Sequence, residues 1–202
     1  FSLQTEKDWL GNTIKPRVGW QVETGIKGAF FDDALQSSLS VFRLRDENRA
    51  TVDRNAAHYP NNNCEGDPTN PTTFGCSVAG GENETQGVEL ELVGRLTDQW
   101  NVIMSYVLTD AEVISTNATD WWEYAVGSNF AAYTPKHAFK LWSTYDFENG
   151  FSLGGGLNAQ SSLYDSTTGQ SNAGFTVFNA HVGYKVNPQV NETWNVQILF
   201  VT

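Results

Sequence analysis

Long apolar runs are missing from this 202-residue chain: the longest, at 130–133 and 198–201, hold four residues, against the roughly 18 that a bilayer-spanning helix needs. A transmembrane helix is therefore excluded. Basic residues are also scarce, with 12 Lys+Arg against 23 Asp+Glu and a formal charge of -11. A surface that tracks phosphates has almost nothing to work with, so nucleic acid is not expected as a partner. Cysteine is limited to two residues, Cys64 and Cys76. They enclose Glu-Gly-Asp-Pro-Thr-Asn-Pro-Thr-Thr-Phe-Gly, a stretch of turn formers without metal-ligand spacing. The expectation is a disulfide staple on an exposed loop, and with it an oxidising compartment. Phe1 to Asp8 shows neither the basic n-region nor the apolar h-region of a secretory leader. The chain reads as mature or as a piece of something longer.

What is present is a folding composition: 40% hydrophobic residues and 18 glycines together make about half of the chain, the globular average. The mean hydropathy of -0.38 leaves the membrane open, because a spanning β-strand alternates apolar and polar residues and sums to little. Period two is what the chain shows. Val18, Trp20, Val22, Thr24 and Ile26 share one face, against Gly19, Gln21, Glu23, Gly25 and Lys27. The pattern recurs in Val88 to Leu96, Trp100 to Leu108, Phe139 to Tyr145, Phe151 to Ala159, Phe178 to Tyr184 and Trp194 to Phe200. Leu35 to Arg45 is less tidy, with Leu39 and Val41 on one parity and Phe42 and Leu44 on the other. Eight strands are counted.

Their connections alternate in length. Short turns fall near 31–34, 97–99, 148–150 and 187–191; long polar connections fill about 48–85, 110–135 and 161–174. Outer-membrane barrels pair short periplasmic turns with long outer loops in this way. Aromatics flank each short turn: Phe30 and Phe31, Trp100, Tyr145 with Phe147 and Phe151, and Tyr184 with Trp194. Amphipathic rings favour the membrane interface, so these read as one girdle. Glu23, Lys27, Glu89, Glu91 and Arg95 suit a hydrated lumen, while the other face carries almost no charge. The competing expectation is a secreted glycan-binding β-sandwich whose apolar face is its core.

Several strings resemble the C-terminal half of TonB-dependent siderophore receptor barrels. They are Gly25-Ile-Lys-Gly-Ala-Phe-Phe-Asp-Asp-Ala-Leu-Gln-Ser-Ser-Leu-Ser-Val-Phe-Arg with Glu47-Asn-Arg after it, and Thr85-Gln-Gly-Val-Glu-Leu-Glu-Leu. Next come the strand from Trp100 to Tyr106 and Tyr133-Thr-Pro-Lys-His-Ala-Phe-Lys-Leu-Trp. The four stand in the family's order between about residues 10 and 186. The resemblance implies an all-β, antiparallel, up-and-down transmembrane barrel, of which residues 1–202 form a portion of a 22-stranded, plugged barrel. It implies uptake of ferric siderophores across the outer membrane of a Gram-negative bacterium. Energy would come through TonB, acting on a plug and TonB box that this sequence does not contain. A complete eight-stranded outer-membrane barrel with a structural or adhesive role is the alternative.

No enzymatic chemistry is expected. Glu89 and Glu91 stand about 6–7 Å apart on one strand face, a spacing a glycosidase could use, but lumen carboxylates pairing with Arg95 or Lys27 explain them better. His58, His137 and His181 are scattered and no metal site or cofactor is expected; iron would arrive already chelated by its siderophore. Asn83-Glu-Thr, Asn117-Ala-Thr and Asn191-Glu-Thr match the glycosylation pattern by chance in a bacterial protein. The candidate ligand contacts are Trp121, Trp122, Tyr124 and Tyr133, with Phe130 nearby, in a long loop where rings could stack on a siderophore. Outer-membrane lipid and lipopolysaccharide are expected neighbours, the acidic loops engaging bridging divalent cations.

Overall fold

The computed structural model describes residues 2–59, 75–116, 125–131, 133–165, 168–187 and 192–201, with 186–187 and 192–201 described by backbone alone. Among the described residues ten strands follow one another: β1 (Val18–Phe30), β2 (Leu35–Val52), β3 (Ser77–Arg95), β4 (Trp100–Ser115), β5 (His137–Asp146), β6 (Phe151–Gln160), β7 (Leu163–Asp165), β8 (Gln170–Asn172), β9 (Phe175–Asn187) and β10 (Glu192–Val201). Eight of them form one antiparallel sheet in the order β1-β2-β3-β4-β5-β6-β9-β10. Each strand of the sheet pairs with its neighbours in chain order, so the sheet is an up-and-down meander with β1 and β10 at its open edges. The expected eight strands are these. The small β7-β8 hairpin stands apart, inside the long 161–174 connection.

Cross-strand registers assign every residue to a face, because partners directly opposite share one. One face carries the rows Phe30–Leu35–Gly94–Val102, Gly28–Ser37–Leu92–Met104–Leu141–Leu157–Phe178 and Ile26–Leu39–Leu90–Tyr106–Phe139–Ala159–Thr176. From the short turns up to the row of Thr24, Val41, Val88 and Leu108 this face has no Asp, Glu, Lys or Arg, close to the nine or so tilted residues that a bilayer crossing takes. Among the described residues no second layer covers it: Val22 is 62% and Ile26 71% exposed. The sandwich expectation is thereby overturned, since a sandwich would bury this face against a facing sheet.

The short turns step along the sheet. Phe30 opposite Leu35 closes the first hairpin; Trp100 opposite Tyr145 lies one row lower, and Phe151 opposite Tyr184 one row lower again. Such a stagger is the shear that strands acquire when they wrap around a barrel axis. The first turn is tight, with Phe31, Asp32 and Asp33 all in the left-handed region (φ 57, 53 and 65). Tyr145 and Phe147 meet edge to face at 4.8 Å, and the rings of Phe151 and Tyr184 are tilted at 4.6 Å, so four of the rings read from the sequence as a girdle touch in pairs.

On the opposite face two glycines are required by close approach. A Cβ on Gly87 would sit 2.5 Å from the Phe42 ring, and one on Gly156 would sit 2.7 Å from the Trp142 ring. Phe42 is therefore on the polar face because it lies flat over Gly87, which accounts for the broken alternation of β2.

Candidate ligand-binding surface

The polar face of the sheet is built in bands. One row reads Lys27–Ser38–Glu91–Ser105–Lys140–Asn158, small hydroxyls alternating with charges. Ser38 donates to Glu91 at 3.4 Å. The expected pairing of Glu89 or Glu91 with Arg95 or Lys27 is not what the structure shows. Arg95 reaches Asp98 at 3.8 Å instead, because the β3–β4 turn brings that carboxylate closer than the next row does. Among the described residues no ion pair within 4 Å engages Lys27, Glu89, Glu91 or Lys140. One row nearer the short turns the face turns apolar, Ala29–Gln36–Val93–Ile103–Trp142, with Val93 and Ile103 about half exposed. A cavity of about 390 Å³ spans both rows, lined by Lys27, Gln36, Ser38, Glu91 and Val93 among others.

Toward the long-loop end β2, β3 and β4 run well past the apolar band. A bulge marks the change: the β2–β3 register shifts between Asp46 and Arg49, where Asn48 takes a left-handed φ of 62. Asparagine tolerates this conformation better than other non-glycine residues, and bulges bend strands at barrel rims. From the Arg43 row onward, on both sides of this bulge, the strands carry charge on both faces. Arg43 meets Glu84 at 2.6 Å, Arg45 meets Glu82 at 2.5 Å, and Arg49 donates to Asn83 at 2.9 Å. A small core forms here, with Val113, Ala111, Thr51, Asp53 and Asn83 buried.

Residues 2–17 strap across this extension. Gln4 donates to the carbonyls of Lys15 and Asn48 and accepts from the Ala50 N–H, and the Ser77 N–H donates to the Lys7 carbonyl. The strap turns at Asp8, whose carboxylate accepts from the N–H groups of Leu10 and Asn12. Desolvation raises its pKa, but the bonds from Asn12, Leu10 and Gly11 together outweigh it and hold the carboxyl below its usual 3.8. Trp9 stacks on His58 at 4.4 Å, and His58 Nδ1 lies 2.6 Å from the buried Asp53 carboxylate. Tyr59 joins the cluster, donating to the Asp53 carbonyl and accepting from the Cys76 N–H. Cys76 is buried at 2% exposure; its expected partner Cys64 lies outside the described residues.

Where strap, strands and loop converge there is a cavity of about 470 Å³, lined by Arg17, Gly19, Trp20, Gln21, Leu44, Asp46, Thr85 and Phe130. Arg17 forks onto Asp46 through Nε at 2.6 Å and through Nη2. The bond to Asp46 raises the guanidinium pKa further, so Arg17 stays charged at any ordinary pH. An apolar wall of Leu44 and Phe130 with a fixed cation, a carboxylate and an amide is the mixed lining that ligand pockets use. The expected Tyr133 is described and stands 84% exposed beside this loop; Trp121, Trp122 and Tyr124 lie outside the described residues. Leu44, an apolar residue on a polar parity, and Phe130, in the aromatic cluster of the loop, were the sequence signals for this cavity. Arg17 and Asp46 gave none, because a strap had to bring them together.

The open staggered sheet, with one uncharged face and one banded polar face, defines a section of an outer-membrane-type β-barrel. The family model described as TonB dependent receptor-like, beta-barrel matches residues 5–201. This chain belongs to that family. It is similar to the ferric-pyoverdine M114 receptor PbuA of Pseudomonas sp. (strain M114), 31% identical over 196 residues, which cover 93% of this chain and 21% of the relative. It is also similar to the catecholate siderophore receptor Fiu of Escherichia coli (strain K12), 28% identical over 194 residues, 94% of this chain and 22% of the relative. The crystal structure of that E. coli receptor superposes with a TM-score of 0.65 at 26% identity, covering 93% of this chain and 24% of that one. The chain thus spans about a fifth of the length of the curated relatives it matches.

Proposed function

We propose that this chain is part of the barrel wall of a Gram-negative outer-membrane receptor that takes up ferric siderophores, driven through TonB acting on a region outside these residues. The observation that supports it most is the family match over residues 5–201 on a sheet that holds a mixed cavity at its long-loop end. In this reading the uncharged face meets lipid, the banded face lines the plugged lumen of a 22-stranded barrel, and the cavity opens toward the exterior. Iron enters already wrapped in its chelator, so the receptor contributes shape, rings and a few polar groups and no metal ligands. Leu44, Phe130 and the Arg17–Asp46 pair form the near wall; Trp121, Trp122, Tyr124 and Tyr133 extend it as stacking surfaces. Lipopolysaccharide borders the apolar face, and a Cys64–Cys76 disulfide holds the loop above Asp53, testable by mass spectrometry without reduction.

The test is growth of an iron-starved strain carrying the full-length gene on a panel of siderophores. Leu44→Asp places a charge in the apolar wall of the cavity, and Trp121→Ala with Trp122→Ala removes the stacking rings. Uptake of at least one siderophore is expected from the unaltered gene and a clear rise in the concentration needed from each variant. Unchanged uptake of every siderophore by both variants sinks the binding role of these residues.

A further inference from the structure

The mouth cavity holds a cation but no spare positive charge. Arg17 is the one basic side chain in its lining, and Asp46 engages both Nε and Nη2 of that guanidinium. On the same wall the Trp20 indole N–H donates to Glu47 at 3.1 Å. Basic groups nearby are occupied in the same way, Arg43 by Glu84, Arg45 by Glu82 and Lys136 by Asp110. Arg49 is held on the Asn83 amide, and neither it nor the strap's Lys7 and Lys15 lines the cavity.

Deeper on the same face the first charges met are negative. From the row Gln21–Leu44–Thr85 toward the short turns, Glu23 comes next and Glu89 one row later, while Lys27 stands only in the row of Glu91. That cation lies six residues beyond Gln21, about 20 Å of strand. Among the described residues Glu23 and Glu89 have no cationic partner. N–H donors do remain at the mouth, since a guanidinium has five and Asp46 occupies only part of them. An uncharged ligand oxygen can therefore accept from Arg17, whereas a polyanion finds no unpaired cation and approaches Asp46, Glu47 and Glu23. Ferric chelates divide along this line. Three hydroxamates give up one proton each and cancel the charge of the ferric ion; three catecholates give up two each and leave the complex trianionic.

We infer that the Arg17–Asp46 pair makes this mouth select ferric chelates by charge, taking electroneutral or cationic tris-hydroxamates and refusing polyanionic tris-catecholates. Arg17 donates to ligand oxygens, Leu44 and Phe130 cover the aliphatic spacers between the hydroxamates, and Asp46 cancels the attraction that a bare guanidinium would exert on an anion. The inference deepens the reading of this chain as part of a siderophore receptor and rests on it. The two fail separately: uptake of anionic chelates alone would sink the charge selection and keep the receptor reading, whereas absence of all uptake would sink the reading itself.

Calorimetric titration of the purified full-length receptor tests it with one chelator in three charge states. The probes are the ferric complex of a linear tris-hydroxamate with a terminal amine, and the same complex with that amine acetylated or succinylated, so that shape is held while net charge runs from plus one through zero to minus one. A ferric tris-catecholate is the fourth probe. Kd is expected to rise about tenfold from the amine to the succinylated complex at low salt, the order that charges near a protein surface support, and to rise further for the tris-catecholate. The spread should narrow at 0.15 M salt, where exposed charges are screened. Asp46→Asn, which frees the Arg17 charge, should bring the succinylated complex level with the acetylated one. Equal affinity across the series, tighter binding of the anionic probes, no binding of any tris-hydroxamate, or an Asp46→Asn receptor that keeps the original ranking would overturn the inference. The series on the unaltered receptor, with its salt dependence, requires no variant to fold.

Discussion

The two halves of β2, β3 and β4 are made of the same strands and obey opposite rules. In the half nearest the short turns Leu39 and Val41 stand exposed and the outward face has no charge. In the half toward the long loops, from the Arg43 row onward, Val113, Ala111, Thr51, Asp53 and Asn83 are buried, and Arg43, Arg45 and Arg49 are each bonded across the sheet. The difference teaches which solvent each half was built for. Apolar surface exposed to lipid needs no core, so the lower half is stabilised from outside. The upper half stands in water and must bury its own apolar groups and satisfy its own polar ones.

The comparison breaks most sharply where a charge enters the lower half. Leu39→Arg should destabilise folding of the full-length receptor into lipid vesicles by about 2–4 kcal/mol, read from urea titrations. A comparable charge added beyond the bulge should be nearly silent. Gly87→Val should come next, at roughly 1–3 kcal/mol for overpacking, because its side chain must displace the Phe42 ring. Adding Phe42→Ala should recover the part due to that ring and leave the part due to the Leu108 carbonyl, which also crowds this position.

The lower half was legible in the sequence because lipid enforces the period. Every outward position there is apolar, glycine or a small hydroxyl residue, so parity alone sorts Val22 from Glu23 and Leu90 from Glu91. Legibility faded above Val41, where Arg43, Arg45 and Glu84 occupy the face that is apolar lower down, and ended at the bulge, where Asn48 shifts the register. The β7–β8 hairpin went unread because Leu163–Asp165 is too short to show alternation. The mouth cavity was half legible. Leu44 and Phe130 stood out as misplaced or clustered apolar residues, but Arg17 and Asp46 are 29 residues apart and meet only because residues 2–17 fold back over β2.

Smaller effects sharpen the upper half. Asp53→Asn keeps the shape of the side chain and removes the charge beside His58, and should lower the stability of the strap region by about 0.5–1.5 kcal/mol. Slower-exchanging amides at Tyr59 and Ser77 should lose protection while those of Leu90 and Tyr106 do not. The smallest effect is the Asp8 turn. Its folded pKa is depressed, so its contribution is present above the unfolded value of 3.8 and is lost as pH falls through the lower folded value. Hydrogen exchange at Leu10 and Asn12 should therefore quicken only in acid below that value, with no change between pH 5 and 8.

The claim that one face of this sheet meets lipid while the other lines an interior is tested most directly on β3. Nitroxide labels carried on a genetically encoded ketone side chain at Glu89, Leu90, Glu91 and Leu92 of the full-length receptor in bilayers report collisions with oxygen and with a water-soluble nickel complex. Leu90 and Leu92 are expected to collide with oxygen and exclude nickel, while Glu89 and Glu91 show much weaker oxygen contact, giving a period of two. A flat profile across the four positions, or oxygen contact peaking at Glu89 and Glu91, would contradict the account.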